Sequence, residues 1–104
     1  MKRYTFNREA SLDLDGILLD LQSIPAKPAL KIGRDLKAMF EQIAEWPQLG
    51  LGYKRFHQEH GYDVRSRLCG NYKIFYRADL PMPDVLAVLH MKRDIETIMR
   101  ERLE

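Results

Sequence analysis

The stretch YDVRSRLCGNYKIFYRADLPMPDVLAVLHMKRD, residues 62–94, is the most informative part of this 104-residue chain. Apolar and polar side chains alternate over residues 62–68 and again over residues 72–77, which is the period-two pattern of strands that turn one face to a core. Between them, Cys69, Gly70 and Asn71 supply turn chemistry. The pattern therefore predicts two antiparallel strands joined as a hairpin.

A third strand follows a turn rich in proline. Pro81 and Pro83 cannot donate hydrogen bonds to a sheet, so they turn the chain into the run VLAVLH at residues 85–90. That run is apolar on both faces, which predicts a central strand. Asp94 is the expected cap of a final helix, and the apolar stripe of that helix is Ile95, Ile98, Met99 and Leu103.

The N-terminal half predicts a short strand and two helices. Residues 3–6 are prone to form a strand, and Asn7 is the expected N-cap of a first helix. Pro25 and Pro28 bracket a short connection to a second helix over residues 28–45, so the two helices form an antiparallel hairpin. Residues 50–61 are interpreted as one long loop. The predicted class is α+β: a short N-terminal strand, an antiparallel helical hairpin packed on a mostly antiparallel three- to four-stranded sheet, and a short C-terminal helix.

Length and composition predict one domain over residues 1–104. Hydrophobic residues make up 45% and charged residues 31% of the chain, which is ordinary for a globular protein. No window approaches the ~20 apolar residues of a membrane span, and the first residues lack the apolar core of a signal peptide. The single cysteine, Cys69, suits a reducing compartment, so we expect a cytoplasmic protein without membrane contact.

The sequence offers little support for a metal, a cofactor or conventional hydrolase chemistry. His57 and His60 look like a metal pair, but a structural zinc site needs about four ligands and nothing nearby has ligand spacing. The chain also lacks a phosphate-binding glycine loop and a nucleophile elbow. We therefore expect no metal and no cofactor.

Cationic side chains on the predicted strands are the main candidates for a binding site. The net charge is only +2, so their distribution matters more than their number. If Arg65 and Arg67 share one strand face, and Lys73 and Arg77 share a face of the next strand, the sheet presents a cationic patch with Phe75 in its middle. Such a patch can hold phosphates, stack a base or receive an acidic peptide. The alternative is that these residues only keep a solvated face polar.

His90, Lys92 and Arg93 close the third strand and extend the set of candidates. A histidine at the end of an apolar strand is either a hydrogen-bonded structural residue or an acid-base group. The candidate residues for binding a target or a partner are Arg65, Arg67, Lys73, Phe75, Arg77, His90 and Arg93.

The order of these parts resembles the RelE/ParE superfamily of bacterial toxins. A polar turn leads into Tyr72, Ile74, Tyr76 and Arg77, and then into Val88, Leu89, His90, Arg93 and Asp94, which is similar to the ParE branch. The resemblance implies a toxin of a type II toxin–antitoxin module, a system of growth inhibition and plasmid stabilisation. It also implies neutralisation by an antitoxin whose disordered tail folds over the toxin.

The branch of the family decides the expected mechanism. RelE-like members are ribosome-dependent mRNA endonucleases that use basic residues and a tyrosine near the C-terminus. The final segment here, IETIMRERLE, has no tyrosine, and Arg67 is one position away from the RelE strand arginine, which would turn it to the opposite face. ParE-like members instead inhibit DNA gyrase by protein–protein interaction, without being enzymes.

We therefore favour a gyrase inhibitor and keep two alternatives. One is a ribosome-dependent endoribonuclease acting on mRNA, and its catalytic set would be Arg65, Lys73, Arg77, His90, Lys92 and Arg93. The other is a non-toxic, antitoxin-binding or regulatory relic of the fold. The resemblance implies an antitoxin partner, contact with operator DNA only through that antitoxin, and a possible toxin dimer.

Overall fold

The computed structural model describes residues 3–103 of the chain. Its strands and helices, in chain order, are β1 (Thr5–Phe6), α1 (Arg8–Leu21), α2 (Ala26–Glu45), β2 (Leu51–Gly52), α3 (Lys54–His60), β3 (Val64–Cys69), β4 (Tyr72–Arg77), β5 (Asp84–His90) and α4 (Ile95–Leu103). A single 3₁₀ turn, Pro47–Leu49, connects α2 to β2.

The sheet has five strands in the order β1-β5-β4-β3-β2. β5, β4, β3 and β2 pair antiparallel, while β1 runs parallel to β5. The predicted α+β class and mostly antiparallel sheet are therefore confirmed. The strand count exceeds the expected three to four because Leu51 and Gly52 pair with Ser66 and Arg65 at the edge of β3.

Each face of the sheet is covered by a different pair of helices. On the face we call the hairpin face, α1 and α2 pack on a core that includes Ile74, Tyr76 and Val88. On the opposite face, which we call the groove face, α3 and α4 pack on Phe75 and Leu89. Because side chains alternate along each strand, neighbouring residues of β4 serve the two different cores.

Local capping fixes where two of the helices begin. The Asn7 side chain accepts a hydrogen bond from Ala10 N at 2.8 Å, and the Asp94 carboxylate accepts one from Thr97 N at 3.3 Å. Both caps agree with the sequence. α2 begins at Ala26, before the predicted position 28, since Pro28 lies in the first turn, where its missing N–H costs no helical bond.

The prediction of one long loop over residues 50–61 is wrong. This segment contains β2 and the seven-residue helix α3, which ends at His60 and is followed by Gly61 in the left-handed region with φ 74°. Tyr53 and Phe56 pack against the groove-face core, and this burial stabilises a helix too short to persist alone. Neither a two-residue strand nor a helix of two turns gives a strong periodic signal in sequence.

A largely buried ion pair ties the C-terminal helix to the rest of the fold. Arg102 donates to both carboxylate oxygens of Asp13, at 2.6 and 2.8 Å, and its side chain is only 17% exposed. Asp13 also accepts from Val88 N, and Arg102 also donates to Leu86 O. The pair therefore joins α1, β5 and α4 at one point.

Within the described part of the chain, no helix combines the length and apolar character that a membrane crossing requires.

Candidate functional site

The sheet separates the strand cations that were expected to form one patch. Arg65 and Arg67 pair with Tyr76 and Ile74, whose side chains lie in the hairpin-face core. Lys73 and Arg77 pair with Leu68 and Val64 and lie with them on the groove face. The prediction of a single cationic patch is therefore wrong, because Arg65 and Arg67 lie on one side of the sheet and Lys73 and Arg77 on the other.

Arg65 holds the chain that leads into β2. Its Nη1 donates to the carbonyl oxygens of Gln48 and Gly50, at 2.8 and 3.1 Å, and its Nε donates to Asp63. Tyr76 donates to Pro47 O in the same turn at 2.6 Å. The guanidinium is thus engaged in backbone and carboxylate contacts, which gives Arg65 a structural role beside any binding role.

Arg67 lies between β3 and the helical hairpin. Its Nη2 donates to Gln42 Oε1 of α2 at 3.1 Å. Its Nη1 is buried and has no hydrogen-bond partner among residues 3–103. Arg67 therefore packs under α2 instead of projecting freely from the sheet.

Arg77 is neutralised by a neighbouring carboxylate. Its Nε and Nη2 donate to the two oxygens of Asp79, at 3.1 and 2.7 Å, and its guanidinium lies 4.0 Å from the ring centre of Tyr62. The hydrogen bond with Asp79 raises the pKa of Arg77, and the same bond lowers the pKa of Asp79. In this pairing the positive charge of Arg77 is largely cancelled for an incoming phosphate.

Phe75 does not present an open stacking surface in the middle of a cationic patch. Its side chain is only 2% exposed and belongs to the groove-face core. Lys73 places its ammonium 5.4 Å from the Phe75 ring centre and 5.6 Å from that of Tyr53. This cation–π arrangement holds Lys73 at the rim of a groove while Phe75 forms its floor.

The groove between α3 and α4, which we call the α3–α4 groove, has a volume of about 560 Å³. Its floor and walls are mostly aromatic and aliphatic, and its rim carries Lys54, Arg55, Lys73 and Glu96. The sequence pattern does not predict this site, because the site depends on α3 and residues 50–61 lack a clear helical period. The one available signal was the pair of aromatic residues Tyr53 and Phe56, at the three-residue spacing of one helix face.

His90, Lys92 and Arg93 lie at the turn between β5 and α4. His90 Nδ1 accepts from Lys92 N at 3.1 Å, and its ring meets Tyr72 edge to face at 5.4 Å. His90 and Arg93 border a cavity of about 210 Å³ together with Tyr72 and Asp20. These contacts favour the structural interpretation of His90, which caps the turn.

The residues of the endonuclease alternative do not converge on one reacting atom. Arg65 and His90 lie on the hairpin face, whereas Lys73 and Arg77 lie on the groove face. General acid-base catalysis needs its groups within hydrogen-bond reach of one substrate atom. The predicted set, taken as one catalytic centre, is therefore not assembled in this arrangement. Nor do residues 3–103 contain a group of three or more His, Cys, Asp or Glu side chains that could hold a metal ion.

The helical hairpin presents a second, strongly apolar groove on its outer side. This groove, which we call the hairpin groove, has a volume of about 600 Å³ and is lined by Leu18, Leu21, Gln22, Ala29, Leu30, Gly33, Arg34 and Lys37. Leu18 is 57% exposed and Leu30 is 60% exposed, although both lie on amphipathic helices. Exposed leucines grouped along one groove, with cations at its edge, are typical of a docking surface for another protein.

Comparisons with known proteins support the architecture. No model of a known protein family matches the sequence, and no curated protein matches it either. Among solved structures, a chain of the "Chromosomal ParDE TA system from P. aeruginosa" has a similar fold, with a TM-score of 0.62 and 20% sequence identity. The match covers 84% of this chain and 92% of that one. The resemblance drawn from residues 62–94 is thus confirmed at the level of the fold.

Proposed function

We propose that this chain is a ParE-like toxin of a type II toxin–antitoxin module, which inhibits DNA gyrase by protein–protein contact and is neutralised by a cognate antitoxin. The observation that carries the proposal is the fold shared with a chain of a ParDE system over 84% of this protein. The single buried thiol fits action in the reducing cytoplasm.

The distribution of the cations favours an inhibitor over a nuclease. Arg65 and Arg77 are bound to carboxylates, and His90 accepts a backbone hydrogen bond. An mRNA endonuclease would need several of these groups directed at one phosphate and one ribose hydroxyl. A protein that blocks an enzyme by surface contact needs no such convergence.

The hairpin groove is the proposed binding site of the antitoxin. It offers exposed leucines for the apolar side chains of a folding segment, and Arg34 and Lys37 at its edge for acidic side chains. A disordered antitoxin tail would order on this surface, and the buried apolar area would offset the cost of ordering. Any contact of the toxin with operator DNA would then occur through the antitoxin.

Expression of the chain without antitoxin tests the choice of target in cells. Pulse labelling of DNA and of protein should show that DNA synthesis stops first, with DNA breaks, while translation continues. Earlier loss of translation with codon-positioned mRNA cuts would favour the endonuclease. Undisturbed growth at high expression would favour the non-toxic relic of the fold.

A matched pair of substitutions tests the antitoxin site. Leu30→Asp places a charge in the hairpin groove, whereas Leu49→Asp changes a similarly exposed leucine, 68% exposed, outside the lining of that groove. We expect Leu30→Asp to weaken antitoxin binding by at least about tenfold and Leu49→Asp to leave it unchanged. Equal affinity of both variants for the antitoxin would refute the assignment of the groove.

A further inference from the structure

The α3–α4 groove lies on the side of the sheet opposite the hairpin groove, so the proposed antitoxin contact does not explain it. Its floor is formed by Phe75 and Met99, which are 2% and 1% exposed. Tyr53 and Phe56 of the α3 segment form one wall and Ile95 of α4 contributes to the other. An apolar side chain that entered this groove would exchange water for aromatic and aliphatic contacts on several sides.

The charges at the rim of the α3–α4 groove favour a negatively charged ligand. Lys54, Arg55 and Lys73 contribute three cations, against one carboxylate from Glu96. Two rim residues already have partners: Arg55 contacts Glu59 at 3.1 Å and Glu96 at 3.7 Å, and Glu96 also pairs with Arg100 at 2.9 Å. Lys54 and Lys73 have no carboxylate within ion-pair distance among residues 3–103, so an incoming anion would meet two uncompensated ammonium groups.

The groove suits a peptide side chain better than a nucleotide. The Tyr53 hydroxyl is already paired with Ser66 Oγ at 2.7 Å. The remaining polar groups are charged heads at the rim, whereas the floor consists of Phe75 and Met99. A buried base would leave its ring nitrogens and exocyclic groups without partners, which costs free energy, whereas a leucine or phenylalanine side chain has no such groups.

From these contacts we propose that the α3–α4 groove binds a peptide segment in which a large apolar side chain is flanked by carboxylates. The apolar side chain lies against Phe75 and Met99, and the carboxylates pair with Lys73 and Lys54. The weak Arg55–Glu96 contact, between side chains that are 57% and 73% exposed, crosses from α3 to α4 and yields to a ligand carboxylate that competes for Arg55. This groove shares no lining residue with the hairpin groove.

Methyl NMR of the full-length chain tests this proposal. The Met99 and Ile95 methyl groups report on the groove, while the buried Ile43 methyl reports on the opposite core. The probe is a blocked pentapeptide of aspartate, glutamate, phenylalanine, leucine and glutamate. We expect saturable shifts at Met99 and Ile95 and none at Ile43.

Two controls make the test specific. A peptide with amides in place of the carboxylates, and a peptide with serines in place of the two apolar residues, should each bind at least about threefold more weakly. Lys73→Gln should weaken binding of the acidic peptide by about threefold to tenfold, whereas Lys27→Gln, an exposed lysine of α2, should not change it.

Three results would overturn the proposal. One is the absence of shifts at Met99 and Ile95 at millimolar peptide. Another is equal binding of the acidic and amide peptides. The third is tighter binding of adenosine monophosphate than of the peptide at the same two methyl groups, which would assign the groove to nucleotides.

Discussion

Gly50 should be intolerant of any side chain because the Tyr76 ring occupies the space beside its α-carbon. A β-carbon at Gly50 would lie 2.9 Å from Tyr76 Cζ and 3.0 Å from Arg65 Cβ, and it would overlap the Tyr76 hydroxyl oxygen. The backbone there has φ −70°, which any residue adopts, so the requirement for glycine is steric. We therefore predict that Gly50→Ala destabilises the fold.

The size of the effect follows from what must move. Tyr76 has no exposed surface and donates to Pro47 O at 2.6 Å, so displacing its ring strains the core and breaks that hydrogen bond. Moving the 47–50 segment instead would disturb the bonds that Arg65 makes to its carbonyls. Overpacking costs about 1–3 kcal/mol and a lost buried hydrogen bond adds about 1 kcal/mol, so the free energy of unfolding should fall by about 2–4 kcal/mol.

Urea denaturation followed by circular dichroism measures this loss. The midpoint should fall by roughly 1–3 M, and the melting temperature by roughly 10–30 °C. Gly52→Ala is the matched control, since a β-carbon at that position meets nothing within 4 Å and it should change the stability by less than about 0.5 kcal/mol.

A double-mutant cycle isolates the steric cause. Tyr76→Phe removes the overlapping hydroxyl group, so Gly50→Ala should cost less in that background than in the parent chain. Equal stability of Gly50→Ala and Gly52→Ala would contradict the steric cause. So would an equal loss of unfolding free energy from Gly50→Ala in the Tyr76→Phe background and in the parent chain.

Three further predictions concern buried or paired groups. Asp13→Asn should lower the free energy of unfolding by about 3 kcal/mol, because it leaves the Arg102 charge, 17% exposed, without its carboxylate; chemical denaturation measures this. The hydrogen bond from Arg77 holds the pKa of Asp79 below its ordinary value, so the ion pair stabilises the fold fully above the ordinary carboxyl pKa near 4. That stabilisation is lost as pH falls through the lowered pKa. Acid denaturation should show this loss in the parent chain and not in Asp79→Asn. Burial raises the pKa of the Cys69 thiol, which should react at least about tenfold more slowly with a disulfide reagent than free cysteine does at pH 8.

Each of these predictions has its own control. Asp15→Asn changes an exposed carboxylate on α1 and should leave the stability within about 0.5 kcal/mol. A free energy of unfolding that does not change between pH 4 and 2 in the parent chain would contradict this pH dependence. The same fall in stability with pH in Asp79→Asn as in the parent chain would contradict it too. Cys69 should react at the rate of free cysteine once the chain is unfolded in urea, and equally fast reaction of the folded chain would show that the thiol is accessible.

The sequence predicted the elements that have a strong period. The alternation over residues 62–77 and the apolar run at 85–90 correspond to β3, β4 and β5, since one pleated face must bury its apolar side chains. The helix caps at Asn7 and Asp94 can be predicted from sequence, because a side-chain oxygen at each position accepts a hydrogen bond from a backbone N–H of the first helical turn. Such local rules left few alternatives for these segments.

The candidate site was less predictable because it depends on which way each strand faces. The alternation identifies Arg65 and Arg67 as a pair on one face, and Lys73 as a member of the other set, but only the strand register shows that the two sets lie on opposite sides of the sheet. Likewise, the pairing of Arg77 with Asp79 depends on the end of β4, and α3 depends on tertiary contacts of Tyr53 and Phe56. These are properties of packing, which a single sequence does not display.

The activity that we propose for this chain is inhibition of DNA gyrase by direct binding. The most direct measurement titrates the purified, antitoxin-free chain into a gyrase supercoiling reaction and follows both lost supercoiling and trapped cleaved plasmid. We expect inhibition that depends on toxin concentration and is reversed by the antitoxin. Unchanged supercoiling and no cleaved plasmid at a large molar excess of the chain would contradict it.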